Sequence, residues 1–310
     1  MNYGNLITGA FRVTWHYKFL WLYGIFLGGS INFGSFNYNF NLNDSDTRRF
    51  RNLDTVQEVA RWVNANLPLI IAFVLILAFF AIIFWIFRII SQSAVVWTVD
   101  QSEKAATPTF TEAFKIGLKY FWRLFGLTLL ISLFFLLFLL IFLIPPFIIF
   151  FSTIEKGTLI MLPIFALIIL LLILILIPLI IIVNIIVMYA IRFLVINDER
   201  IVESISSSSK LLRKNLGASL LVWLLSAAIG IGITVALLVV LILLGIPIGI
   251  LAYFLIASGV TITKIVIMAA LTIALLTIIL IVGGFGQAYF SAFWTLAWRE
   301  LTRLEKAPEG

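Results

Sequence analysis

The side chains able to do chemistry are few. His16 is the only histidine and cysteine is absent, which removes disulfides, thiol nucleophiles and thiolate metal sites together. Two pairs of neighbouring carboxylates are Asp198 and Glu199 in INDERI, and Asp100 and Glu103 in VDQSE. A general acid and base pair needs two such groups converging in a shielded pocket. These four sit at the edges of apolar runs, where charged turn residues facing water are expected. His16 lies among basic and aromatic residues in AFRVTWHYK and reads as a headgroup-level cation or hydrogen-bond donor. No catalytic, cofactor-binding or metal-binding residue is expected, and no enzyme.

The elements that hold these residues follow from composition. Of 310 residues 63% are hydrophobic and 11% charged, and the mean hydropathy is +1.18. So little polar surface cannot cover a water-soluble globule of this size. Asp, Glu, Lys and Arg are missing from residues 19 to 43, 62 to 87, 124 to 154, 157 to 191, 215 to 263 and 265 to 298. Each run exceeds the ~20 residues that cross a hydrocarbon core as helix. The expectation is an all-α, polytopic integral membrane bundle of six spans, with no soluble domain and no cleaved signal peptide.

Two runs are marginal. The first has only FLWLYGIFLGG before an Asn-rich stretch, and crosses only if Lys18 snorkels to the interface. The run from 215 to 263 contains GIPIG at 245 to 249, a plausible bent or re-entrant end. Pro178 reads as a kink in one tilted helix. Residues 31–66 form an outer loop in which Asp54 and Gln57 cap a short helix lying on the outer leaflet. Asn184 is expected to bond a neighbouring helix, and Ser226, Gly230, Ala228, Gly232, Gly283, Gly284 and Gly286 to pack closely.

Charge placement orients the chain. Fifteen of the 21 Lys and Arg residues lie at the N-terminus, between spans two and three, between four and five, and at the C-terminus. The positive-inside rule then puts both termini in the cytoplasm. Trp15, Trp97, Trp122, Trp294 and Trp298 fall near the same ends, where indole rings sit at headgroup level.

Lys115, Lys119 and Arg123 are spaced by four in EAFKIGLKYFWRLFGLTLL, a cationic helical stripe leading into an apolar run. The pattern recurs. ESISSSSKLLRKNLGASLL, with Lys210, Arg213 and Lys214, aligns with it at an offset of 91, and AFRVTWHY, with Arg12 and His16 followed by Lys18, at an offset of 103. Three repeats of an in-plane amphipathic helix plus two spans are expected, over 1–105, 106–200 and 201–310.

These stretches, with AFRVTWHYKFLWLYGI at the start and FWTLAWREL at the end, resemble prokaryotic multi-pass proteins grouped with the membrane domain of glycerophosphoryl diester phosphodiesterases. The resemblance implies a membrane module without the catalytic domain. The expected function is a lipid-engaging or scaffolding module of the cytoplasmic membrane, with a transporter or lipid translocase as the alternative. Expected partners are anionic lipids, held by the nine residues Arg12, His16, Lys18, Lys115, Lys119, Arg123, Lys210, Arg213 and Lys214, and other membrane proteins, with no nucleic acid and no cofactor.

Overall fold

A computed structural model describes residues 2–28, 53–155, 161–257 and 261–306, which are helical with short connections and contain no strand. Helix α1 spans Tyr3–His16 and α2 Phe19–Gly28; α3 is Leu53–Glu103, α4 Phe110–Glu155, α5 Met161–Ile196 and α6 Ile201–Lys214. Helix α7 (Leu216–Val240) runs through a π turn at Leu241–Gly245 into α8 (Ile246–Ala257), and α9 is Ile262–Lys306.

Local chemistry sets the ends. The Asn2 side chain accepts the Asn5 N–H at 3.2 Å and starts α1. Thr109 and Glu112 form a reciprocal capping box at the start of α4: Glu112 accepts the Thr109 N–H at 3.0 Å, and Thr109 Oγ1 accepts the Glu112 N–H at 3.4 Å. Two residues past the ends of α3 and α5, Ala105 and Asp198 each have a φ of 57°. Asp tolerates this left-handed conformation better than Ala does. The π turn ends at Gly245, two residues before Pro247. A proline lacks the N–H for the regular ladder and crowds the preceding turn, which the wider π turn relieves. GIPIG is thus an internal adjustment of a continuous helix, not its break.

Five segments are long and apolar enough to cross a membrane: Arg61–Glu103, Phe110–Ile148, Ile169–Ile196, Leu216–Leu255 and Ile262–Glu305. The expected first span is represented by α2, whose ten residues cover ~15 Å, half a hydrocarbon core; the rest of that run lies outside the described residues. The expected outer-leaflet helix is corrected too. Leu53 to Glu103 is one helix, so its described part continues directly into the span through Pro68. Residues 31 to 52 of that loop lie outside the described residues.

Each long helix divides into two parts. The most apolar windows of the five spans are between 0% and 6% buried inside the protein. Burial concentrates instead in Ile89 to Asp100 of α3, Ala113 to Leu127 of α4, Ile185 to Val195 of α5 and Ala288 to Leu301 of α9, with parts of α1, α2, α6 and α7. The core therefore closes at one end, the end that carries the basic segments. On α3 exposed Trp62 and Trp85 bracket about 35 Å of helix, close to a hydrocarbon thickness with its interfaces. The packed part of α3 lies on the basic side of that band.

Helix α9 is the centre of the core. Its Trp294 and Trp298 meet Tyr189 and Phe193 of α5 edge-on at centroid distances of 5.7 and 5.2 Å. Helix α2 lies against α9 backbone to backbone at Gly24 and Gly284. A methyl group on Gly284 would stand 2.5 Å from the Trp21 carbonyl oxygen, so only glycine permits this approach. Gly286 likewise admits Ile233. Gly230, Gly232 and Gly283 have open space instead, and Asn184 is exposed, so the close packing and the interhelical bond expected of them are not made among the described residues. Their positions lie in or beside the splayed part of the bundle, where helices do not touch.

Candidate functional site

The nine cationic or histidine side chains expected at headgroups all fall at the basic end, on three helices. Arg12 and His16 on α1, Lys18 just after it, Lys115 and Lys119 on α4, and Lys210 and Arg213 on α6 are exposed. The stripe on α4 is explained by its opposite face. Ala113, Tyr120, Leu124 and Leu127 are buried, and Gly117 lets Ile90 of α3 come against the backbone, so the intervening lysines turn outward. The serines of α6 act similarly. Ser204 and Ser208 are buried with their hydroxyls donating to Ile201 O at 2.8 Å and Ser204 O at 2.6 Å, which leaves Lys210 and Arg213 outside.

Two of the nine have other partners. Arg123 pairs with Asp198 at 2.6 Å, and Lys214 with Glu305 at 2.6 Å. Both therefore also tie helices together, and a cation already paired contributes less to an anionic surface. The positive φ of Asp198 turns its carboxylate back toward α4. The Tyr120 hydroxyl, and then Arg123 and Lys119, hold the Asp198 carboxyl below the usual carboxylate range. Arg12, Lys18, Lys115, Lys119, Lys210 and Arg213 make no salt bridge among the described residues.

Asp100 overturns the solvated reading. It is 4% exposed and accepts from Lys104 Nζ at 2.6 Å and Arg299 at 2.8 Å, while the same Arg299 nitrogen donates to the Asp100 carbonyl at 2.9 Å. This node ties the end of α3 to the end of α9. It borders a cleft of about 890 Å³ at the basic end, whose wall includes Asn5 of α1, Glu103, Ile196 of α5, Trp298 and Arg303.

Arg192 is the residue the sequence reading passed over. It sits on α5 at 2% exposure, donating to Met188 O at 2.6 Å and to Ser291 O of α9 at 3.2 Å. Its Nε has no partner, and no carboxylate within salt-bridge distance balances it among the described residues. Its position just past a charge-free run was visible, but the burial was not, because it depends on α9 covering this face of α5. No group of three His, Asp or Glu residues assembles among the described residues.

Among known proteins, the family described as a family of unknown function (DUF7544) matches residues 9–298. That description does not mention phosphodiesterase membrane domains. No curated protein and no solved structure matches the chain.

Proposed function

The chain belongs to the DUF7544 family of unknown function, and we propose that it is a non-enzymatic membrane module that engages anionic lipid and scaffolds neighbouring membrane proteins. The observation that carries this reading is the division of every long helix into a packed basic end and an almost unburied apolar remainder. The fold is held by its basic end, so the spans present their apolar surface to lipid or to other helices. At that end Arg12, Lys18, Lys115, Lys119, Lys210 and Arg213 are exposed and make no salt bridge among the described residues.

Each such cation near an anionic leaflet contributes on the order of 1 kcal/mol, screened within a Debye length. Insertion does not depend on them, because the apolar spans hold the protein in the bilayer. Their effect is to set helix orientation and select lipid. The positive-inside rule places this end on the cytoplasmic side of the cell membrane. Separate helices α1 and α6, each followed by an apolar helix, support a repeated unit; the second copy differs in running unbroken from its basic stretch into its span.

Mass spectrometry of the protein purified in mild detergent tests the reading. Anionic lipid retained beyond its share of the membrane supports it, and lipid retained only in proportion to bulk composition counts against it. A stoichiometric small solute would instead favour a transporter or lipid translocase, the second reading, which rests on buried Arg192.

A further inference from the structure

Among the described residues five buried polar side-chain atoms have no hydrogen-bond partner, and three are N–H donors on the seam between α5 and α9: Arg192 Nε, Trp294 Nε1 and Trp298 Nε1. An orphaned buried donor costs about 1–3 kcal/mol, and an unpaired guanidinium more. A seam with donors in excess is the complement of an acceptor.

The cleft lies on the same seam. Ile196 and Leu296 line it, and Trp298 stands in its wall. Arg192 is one helical turn behind Ile196 on α5, and its bond to Ser291 lies a similar distance behind Leu296 on α9. Trp298 thus stands in the cleft wall, while Arg192 does not line the cleft and lies about one helical turn inward of it.

We propose that this cleft is a binding site for a small inorganic or organic anion of phosphate or carboxylate type, with Trp298 as a neutral donor in its wall and Arg192, about one turn inward, as the uncompensated positive charge behind it. The rim does not choose the charge: Lys104, Arg299 and Arg303 stand against Asp100, Glu103 and Glu300, and Asp100 already occupies two of the cations. The inner donors therefore confer the preference, which suits a compact anion and not a polyanion. The source is the aqueous phase. The phosphatidylcholine and phosphatidylglycerol arms of the test below separate a free anion from a headgroup. The site uses none of the six exposed cations and stands independently of the lipid reading.

The test is binding of inorganic phosphate, followed by thermal shift and by radiolabelled phosphate, to the full chain in phosphatidylcholine nanodiscs. Wild type should be stabilised as phosphate rises at constant ionic strength. R192M, which replaces the cation by an apolar side chain of similar reach, should bind about tenfold more weakly, the loss expected when the nearest uncompensated positive charge is removed. W298F, which keeps the ring and removes the N–H, should bind several-fold more weakly. R192K serves if R192M does not fold, and should retain charge preference while losing affinity. Equal phosphate response in wild type and R192M or R192K, or no response in wild type, overturns the proposal. So does a response that appears only in phosphatidylglycerol nanodiscs, which would assign the donors to a lipid headgroup.

Discussion

Replacing Asp100 by asparagine keeps the shape of the node between α3 and α9 and removes its charge. The carboxylate is almost fully buried, whereas Lys104 is 53% exposed and Arg299 30%. The Lys104 pair, four residues away on one helix and wet, is worth only ~0.3–0.5 kcal/mol. The Arg299 contact is shielded and charge-assisted, in the range of ~1.5–3 kcal/mol. Its second bond, to the Asp100 carbonyl, survives the substitution. The loss should therefore be about 1–2 kcal/mol, carried mainly by Arg299. In a chain of this size that corresponds to a fall of roughly 2–6 °C in Tm, readable from tryptophan fluorescence on heating in detergent. R299Q should lose a similar amount, K104Q about 1 °C or less, and D100N combined with R299Q clearly less than the sum. A K104Q effect as large as that of R299Q, or additive losses in the double variant, would refute the assignment of the node to the buried pair.

Glycine substitutions at packed and open positions should separate sharply under the same assay. Gly284→Ala should cost about 1–3 kcal/mol by overpacking against the α2 backbone, whereas Gly230→Ala, which meets nothing within 4 Å, should be neutral or gain up to ~1 kcal/mol of helix propensity. Ala105→Gly should stabilise by about 1 kcal/mol, because it removes the Cβ from a left-handed residue. Asp198 sets a pH dependence. Its carboxyl is held below its ordinary value by Tyr120, Arg123 and Lys119, so its contribution is fully present above the unfolded pKa of ~3.9 and is lost as pH falls through the lower folded value. Melting of wild type and D198N between pH 7 and 5 should therefore run parallel, with the difference closing only in more acid solution; a difference that closes between pH 7 and 5 would reject the depressed pKa.

The sequence made the membrane class and the all-helical fold legible, because charge-free runs longer than a hydrocarbon thickness admit no other solution. The outward turn of Lys115, Lys119 and Lys210 was legible for the same reason: helical periodicity is a local property. What depended on a second helix was not. Asp100 looked like a solvated turn residue until Arg299, 199 positions away, was seen to cover it. Arg192 drew no expectation at all, because only the cover of α9 buries it. Gly230 and Gly284 belong to equally plausible small-residue pairs, and only the splaying of the spans leaves one open and presses the other against α2. The Thr109 and Glu112 capping box, which marks the start of α4 well before its charge-free run, was not anticipated.

The central claim is that the exposed cations at the packed basic end select anionic lipid. It is tested most directly by the thermal stability of wild type and of a variant with Arg12, Lys18, Lys115, Lys119, Lys210 and Arg213 changed to Gln, each in phosphatidylglycerol and in phosphatidylcholine nanodiscs. Wild type should be more stable in the anionic discs, with an advantage that shrinks as salt rises, and the variant should lose that advantage while melting near wild type in the zwitterionic discs. An equal loss in both lipids would contradict the account, since it would mean that these side chains hold the protein to itself and not to the membrane.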